Sequence, residues 1–216
     1  MGILLIDYLV ISRILQSVRS FIDDTVDRIR KSGNCADEEG IDAKMKEFGD
    51  TYERLLSELK SFAQDSERYL ALISNMKYSF KPQELKSEPQ CVFPPNEIQK
   101  FIIQINGVDA RVFDAFKKIG DLKAEVIKSA RSCLRPSEKA LVAANLQKVD
   151  DELDLSIRSK ELFYHPMDEI ESALPVDLWP EDRRFIELLF KCTTDLTSRL
   201  EEGLIYMRES GRGVVS

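Results

Sequence analysis

The sequence predicts an all-α protein: an elongated antiparallel bundle of about five helices in a single domain over 1–216. Two helices are long, at about 41–80 and 97–134. Three observations predict it. From Ile41 to Phe80 the apolar residues step by four and three: Ile41, Met45, Phe48, Tyr52, Leu55, Leu59, Phe62, then Tyr69, Ile73, Met76 and Phe80, with Ser66 the one small polar member. This is the heptad period of a helix face that stays turned to a partner over many turns. A second seam of the same period runs from Ile98 to Cys133. The composition agrees: 43% apolar and 32% charged, with only nine glycines and eight prolines in 216 residues. Such a chain can fill a core and still solvate wide outer faces.

The first helix is expected at about 3–31, with Tyr8, Ile11, Leu15, Val18, Ile22, Thr25 and Ile29 on one stripe. Ser32-Gly33-Asn34 ends it, because Gly and Asn tolerate the left-handed cap conformation. Asp37-Glu38-Glu39 places acids at the positive end of the second helix, expected at 38–80, where Gly40 is the weak point. A helix of that length spans roughly 58 Å, longer than the usual diameter of a domain this size. Pro82, Pro89, Pro94 and Pro95 then forbid helix and make 81–95 the longest loop.

The third helix is expected at 97–134, with Asn96 as N-cap and Gln99 reaching back to it. Its seam is Ile98, Phe101, Ile105, Val108, Val112, Ala115, Ile119, Leu122, Val126, Ser129 and Cys133. Ile102, Ile103, Phe113, Phe116 and Ile127 add a second stripe, which places this helix centrally against more than one neighbour. Asn106-Gly107 resembles a hairpin turn, but the register runs through it; Gly107 and Gly120 instead mark bends or close helix contacts. Pro136 and Ser137 open a fourth helix over 137–164, with Val142, Leu146, Val149, Leu153 and Ile157 inward. His165-Pro166 breaks it, and a short helix is expected at 167–174. Pro180 suits the first position of the last helix, 180–209, where Phe185, Leu189, Cys192, Leu196, Leu200, Leu204 and Met207 share a face. Gly211 and Gly213 predict a frayed tail over 210–216. Acid-first pairs at i, i+4 (Asp50–Arg54, Asp114–Lys118, Asp154–Arg158, Asp195–Arg199) support the helical reading.

The chemistry is sparse. A net charge of −7 opposes broad attraction to nucleic acid or anionic lipid. The single histidine, His165, stands at a helix break without a positioned partner. HExxH, GxSxG, the phosphate loop and the dinucleotide fingerprint are absent, and Ser57-Glu58-Leu59-Lys60 matches SxxK only by chance, in mid-helix. Asp23-Asp24, Asp37-Glu38-Glu39 and Asp150-Asp151-Glu152 lack calcium-loop spacing and read as helix starts or exposed faces. Arg28, Arg30 and Lys31 suit a helix C-terminus better than a phosphate patch. No catalytic residue, metal or cofactor is expected. Cys35, Cys91, Cys133 and Cys192 form no ligand-like pair and read as reduced thiols, which points to a cytoplasmic protein; Cys133 and Cys192 lie on apolar stripes and serve as small hydrophobes.

The apolar run Ile3–Ile11 holds Asp7 within it, lacks a basic start and a cleavage site, and is too short to span a membrane. Ile6 also breaks the myristoylation pattern that Gly2 would begin. Leu4, Leu5, Ile6, Leu9 and Val10 extend beyond the seam as surface that needs a cover, and Trp179 either packs on the bundle end or anchors a partner. The reading is therefore a non-enzymatic helical scaffold or adaptor that contacts a protein partner or itself, as a homodimer, and binds no nucleic acid. The alternative is a peripheral membrane protein whose first helix lies in the lipid interface. A secreted helical signalling protein would need a signal peptide, which this N-terminus does not resemble. The long seams find partners within the chain; Ser66 either lies buried against the third helix or faces a functional partner.

Overall fold

The computed structural model describes residues 8–33, 38–79, 95–159 and 180–212. Within them the chain forms five helices and no strand: α1 Tyr8–Ser32, α2 Glu38–Ser79, α3 Pro95–Cys133, α4 Pro136–Ser159 and α5 Pro180–Glu209. The bundle is all-α, as expected. The expected short helix at 167–174, His165 and the last turn of the fourth helix as expected lie outside the described residues.

Local chemistry sets the boundaries. Gly33 adopts φ 61° and its N–H donates to the Arg30 carbonyl at 3.3 Å, closing α1 with a left-handed residue that costs glycine nothing sterically. The α2 helix passes through Gly40 unbroken. Pro95, not Asn96, opens α3; a proline lacks the N–H that the first turn leaves unpaired, so Asn96 falls inside the helix. Pro136 opens α4, and the Glu138 carboxylate accepts the Arg135 N–H at 3.2 Å, half of a capping box. Pro180 opens α5.

Cross-helix pairs give the directions. Arg19 meets Glu53 and Arg30 meets Asp42, so α1 and α2 are antiparallel. Lys44 meets Glu125, Glu47 meets Lys118, Glu58 meets Arg111 and Asp65 meets Gln104; α2 and α3 are antiparallel too. Asp150 with Arg212 and Asp154 with Arg208 make α4 and the end of α5 antiparallel. Between α3 and α5 the numbers rise together: Arg199 lies over Phe113, Gly203 against Phe116, and Tyr206 donates to Asp121. Those two helices are parallel, with α4 carrying the chain back between them.

The α3 helix is the centre, packing most extensively on α5, then on α2 and α1, and least on α4. Every described seam residue of α3 from Phe101 to Val126 is buried, and Ile102, Phe116 and Ile127 of the second stripe are buried as well. Phe113 is half-buried, and Ile103 is 64% exposed: it sits one residue, about 100° of turn, beyond Ile102. On α2, Phe48, Tyr52, Leu55, Leu59, Phe62 and Ser66 are buried; the side chains of Tyr69, Ile73 and Met76 lie outside the described residues. Ser66 is fully buried, its hydroxyl donating to the Ala63 carbonyl at 2.8 Å.

The frayed tail expected from residue 210 is corrected for 210–212. Ser210 continues from Tyr206 by a backbone hydrogen bond at 2.9 Å, and Gly211 is buried at φ 91°. That φ strains any residue with a side chain, so glycine suits the position; a Cβ there would also press on Ile127 Cδ1 at 2.5 Å, which the flexible isoleucine tip could yield to.

Candidate functional site

The densest polar cluster among the described residues lies where α3, α4 and the end of α5 meet. Lys123 of α3 is completely buried. Its ammonium donates to Asp150 Oδ1 at 2.8 Å, to the Met207 carbonyl at 2.8 Å and to the Arg208 carbonyl at 3.3 Å. The two carbonyls belong to the last turn of α5, where helical acceptors run short of donors and the dipole favours a cation. Asp150, itself buried, also accepts from Arg212 at 3.3 Å. Asp154 accepts from Arg208 at 2.5 Å and lies 3.6 Å from Arg212.

Burial pushes the Lys123 pKa down, while Asp150 opposes that shift. The hydrogen bond from Arg208 holds Asp154 below its ordinary carboxylate range. A nucleophilic lysine needs a free amine lone pair and access to substrate. Lys123 has three acceptors for its three N–H bonds and no exposure, so the cluster is a clasp fixing the end of α5 onto α3 and α4. The expectation that Asp150-Asp151-Glu152 is an exposed face fails at Asp150. Nothing in its sequence neighbourhood reveals the partner, because Lys123 is 27 residues away on another helix.

Depressions among the described residues include two of note. A groove of about 190 Å³ between α2 and α3 has Phe48, Ile119 and Leu122 in its lining, with the Lys44–Glu125 and Lys118–Glu47 ion pairs at its edges. That is below the range of pockets that enclose drug-sized ligands. A shallower depression of about 370 Å³ between α1 and α4 is lined by Arg13, Asp24, Lys148 and Glu152 with Ser17 and Ser20, a mixture favouring neither anion nor cation. No group of three or more metal-ligating side chains occurs among the described residues. Asp109 Oδ1 is buried without a hydrogen-bond partner among the described residues; burial raises its pKa and the Arg199 charge opposes that.

Of the expected contact residues, Leu4, Leu5, Ile6 and Trp179 lie outside the described residues. Leu9 is 75% exposed on the first turn of α1, whereas Val10 is half-buried and packs on the core. The structure adds four more exposed apolar side chains: Leu141 and Leu155 on α4, and Ile103 on α3 and Leu188 on α5, which make a set of three with Leu9. The cross-helix pairs put all three at one level of the bundle. Leu9 stands ten residues before Arg19, level with Ala63 of α2 and so close to the Asp65–Gln104 contact; Leu188 stands eleven residues before Arg199, level with Ile102. Because α1, α3 and α5 run in the same direction, their starts share one end of the molecule.

The thiol expectation needs correction as well. Cys133, buried in the last turn of α3, is disulfide-bonded, with its partner outside the described residues. Cys192 is a free, buried thiol whose pKa is raised by burial. Wide spacing in sequence said nothing of distance in space, which the antiparallel helices decide. No helix among the described residues is long and apolar enough to cross a membrane. Comparison with family models, with curated proteins and with solved structures found no match to this chain.

Proposed function

We propose that this chain is a non-enzymatic helical scaffold or adaptor that binds an apolar protein surface, a second copy of itself included, through the end of the bundle where α1, α3 and α5 begin. The observation that supports the reading most is the common level of Leu9, Ile103 and Leu188. These are three of the five large apolar side chains exposed among the described residues. The sequence adds two neighbours to this end: the apolar run Leu4, Leu5 and Ile6 leads into α1, and Trp179 directly precedes Pro180. Aromatic and aliphatic anchors of this kind dominate interface energetics. The fixed clasp at Lys123 serves the same purpose, holding α5 rigidly against α3 so that the three starts stay in register.

The membrane alternative uses the same apolar end, and the net charge of −7 weighs against it for anionic lipid. Reduced thiols are the ground for expecting a cytoplasmic chain, and the Cys133 disulfide removes that ground. Persistent disulfides belong to oxidising compartments, which favours the secretory route over the cytosol.

The test is sedimentation equilibrium and co-sedimentation with anionic vesicles, on the wild-type chain and on a Leu9→Asp, Ile103→Asp, Leu188→Asp variant. Self-association that the substitutions abolish at unchanged helicity supports the reading. A wild-type chain that stays monomeric to millimolar concentration removes self-association. Association untouched by all three substitutions overturns the surface, and vesicle binding that they abolish transfers it to a membrane.

A further inference from the structure

Four cysteines are present, Cys133 is bonded and Cys192 is free, so within the chain Cys133 pairs with Cys35 or Cys91. Both lie outside the described residues, yet the described helices choose between them. Cys91 precedes Pro95 by four residues, and Cys133 ends the same helix that Pro95 begins. A helix spanning Pro95 to Cys133 separates its ends by roughly 57 Å. Four extended residues reach about 14 Å. The Cα atoms of a disulfide stand at most about 7 Å apart. Cys91 therefore falls short by tens of ångströms.

The other end of the register behaves oppositely. Glu58 pairs with Arg111, Glu47 with Lys118 and Lys44 with Glu125: each step back along α2 is a step forward along α3. Cys133 lies eight residues beyond Glu125. Eight residues before Lys44 is Ala36, the neighbour of Cys35. Gly33 and Glu38, the described residues on either side of the link that holds Cys35, both lie at this end of the bundle.

We propose that Cys35 and Cys133 form a native disulfide that fastens the α1–α2 connection to the last turn of α3, closing nearly half the chain into one loop. Forming it joins the two Sγ atoms and releases two protons and two electrons. The electrons pass to a disulfide oxidant, oxidised glutathione or a protein disulfide, which is reduced to two thiols. The bond lies at the opposite end of α3 from Leu9, Ile103 and Leu188, so it stands or falls independently of the proposed contact surface.

The experiment refolds the full chain in a mixture of reduced and oxidised glutathione, alkylates it under denaturing conditions without reductant, and maps the digested peptides by mass. Two alkylated thiols and a peptide pair joining Cys35 to Cys133 are expected, and Cys91→Ser should leave that pair intact. Thermal melts add a second readout. Reductant should lower the wild-type midpoint, and Cys35→Ser should show the lowered midpoint with no further response. Four alkylated thiols at glutathione equilibrium, or a peptide pair joining Cys91 to Cys133, overturns the proposal.

Discussion

Lys123 and Asp150 form an ion pair at 2.8 Å, the lysine wholly removed from solvent and the aspartate side chain 6% exposed. The pair joins the central helix to α4, and the same ammonium grips two carbonyls at the end of α5. A buried pair is expensive to break from one side, because the remaining charge stays in a low dielectric without its partner. Lys123→Met should therefore destabilise the fold by about 3–5 kcal/mol in urea unfolding. Lys123→Met combined with Asp150→Leu should recover much of that loss. A double variant as unstable as the sum of its single changes would show that the two side chains act independently, and would overturn the pairing argument.

Gly203 and Gly49 make a matched pair of opposite sign. A Cβ on Gly203 would lie 2.4 Å from Phe116 Cδ2 and 2.9 Å from Phe116 Cβ, and Phe116 is fully buried. Gly203→Ala should destabilise by about 1–3 kcal/mol through overpacking, despite the better helix propensity of alanine. A Cβ on Gly49 meets nothing within 4 Å, so Gly49→Ala should stabilise by up to about 1 kcal/mol. Thermal denaturation of both variants checks the contrast.

Asp109 and Asp154 should titrate stability in opposite directions. Burial raises the Asp109 pKa above its unfolded value, so its favourable contribution is present below the unfolded pKa and lost as pH rises through the folded one. Asp109→Asn should raise stability modestly at pH 7, by removing a half-buried carboxylate charge that Arg199 offsets only in part, and change almost nothing at pH 3. Arg208 lowers the Asp154 pKa, so its contribution is present above the unfolded pKa and lost as pH falls through the folded one. Asp154→Asn should weaken the protein at pH 7 and converge with wild type in strong acid. Urea midpoints across pH 2–8 read both.

Ser66 is a polar interruption without a distant partner among the described residues. Its hydroxyl bonds back to Ala63, three residues earlier on its own helix. Such back-bonding gives little, and alanine forms helix more readily. Ser66→Ala should be neutral or stabilising by about 0.5 kcal/mol. A loss above 1 kcal/mol in chemical denaturation would mean that the hydroxyl does more than cap a local carbonyl.

The sequence by itself determined the helices and the faces they bury. Heptad spacing puts Phe48 to Phe62 on one stripe of α2 and Phe101 to Val126 on one stripe of α3 regardless of neighbours, because helical geometry alone fixes which side chains share a face. Gly33, Pro136 and Pro180 likewise mark boundaries through backbone constraints that act locally. The second stripe of α3 was legible at Ile102, Phe116 and Ile127, only in part at half-buried Phe113, and not at Ile103, one residue past its edge. Only the tertiary structure decided what the stripes meet. That α5 lies parallel to α3, that Lys123 finds Asp150 and the last carbonyls of α5, and that Leu9, Ile103 and Leu188 share a level all depend on how the helices pack. So does the bonding of Cys133, which no spacing of the cysteines in the chain announces. Periodicity encodes orientation about a helix axis; register and neighbour choice come from the fit of whole surfaces, and no local pattern carries that information.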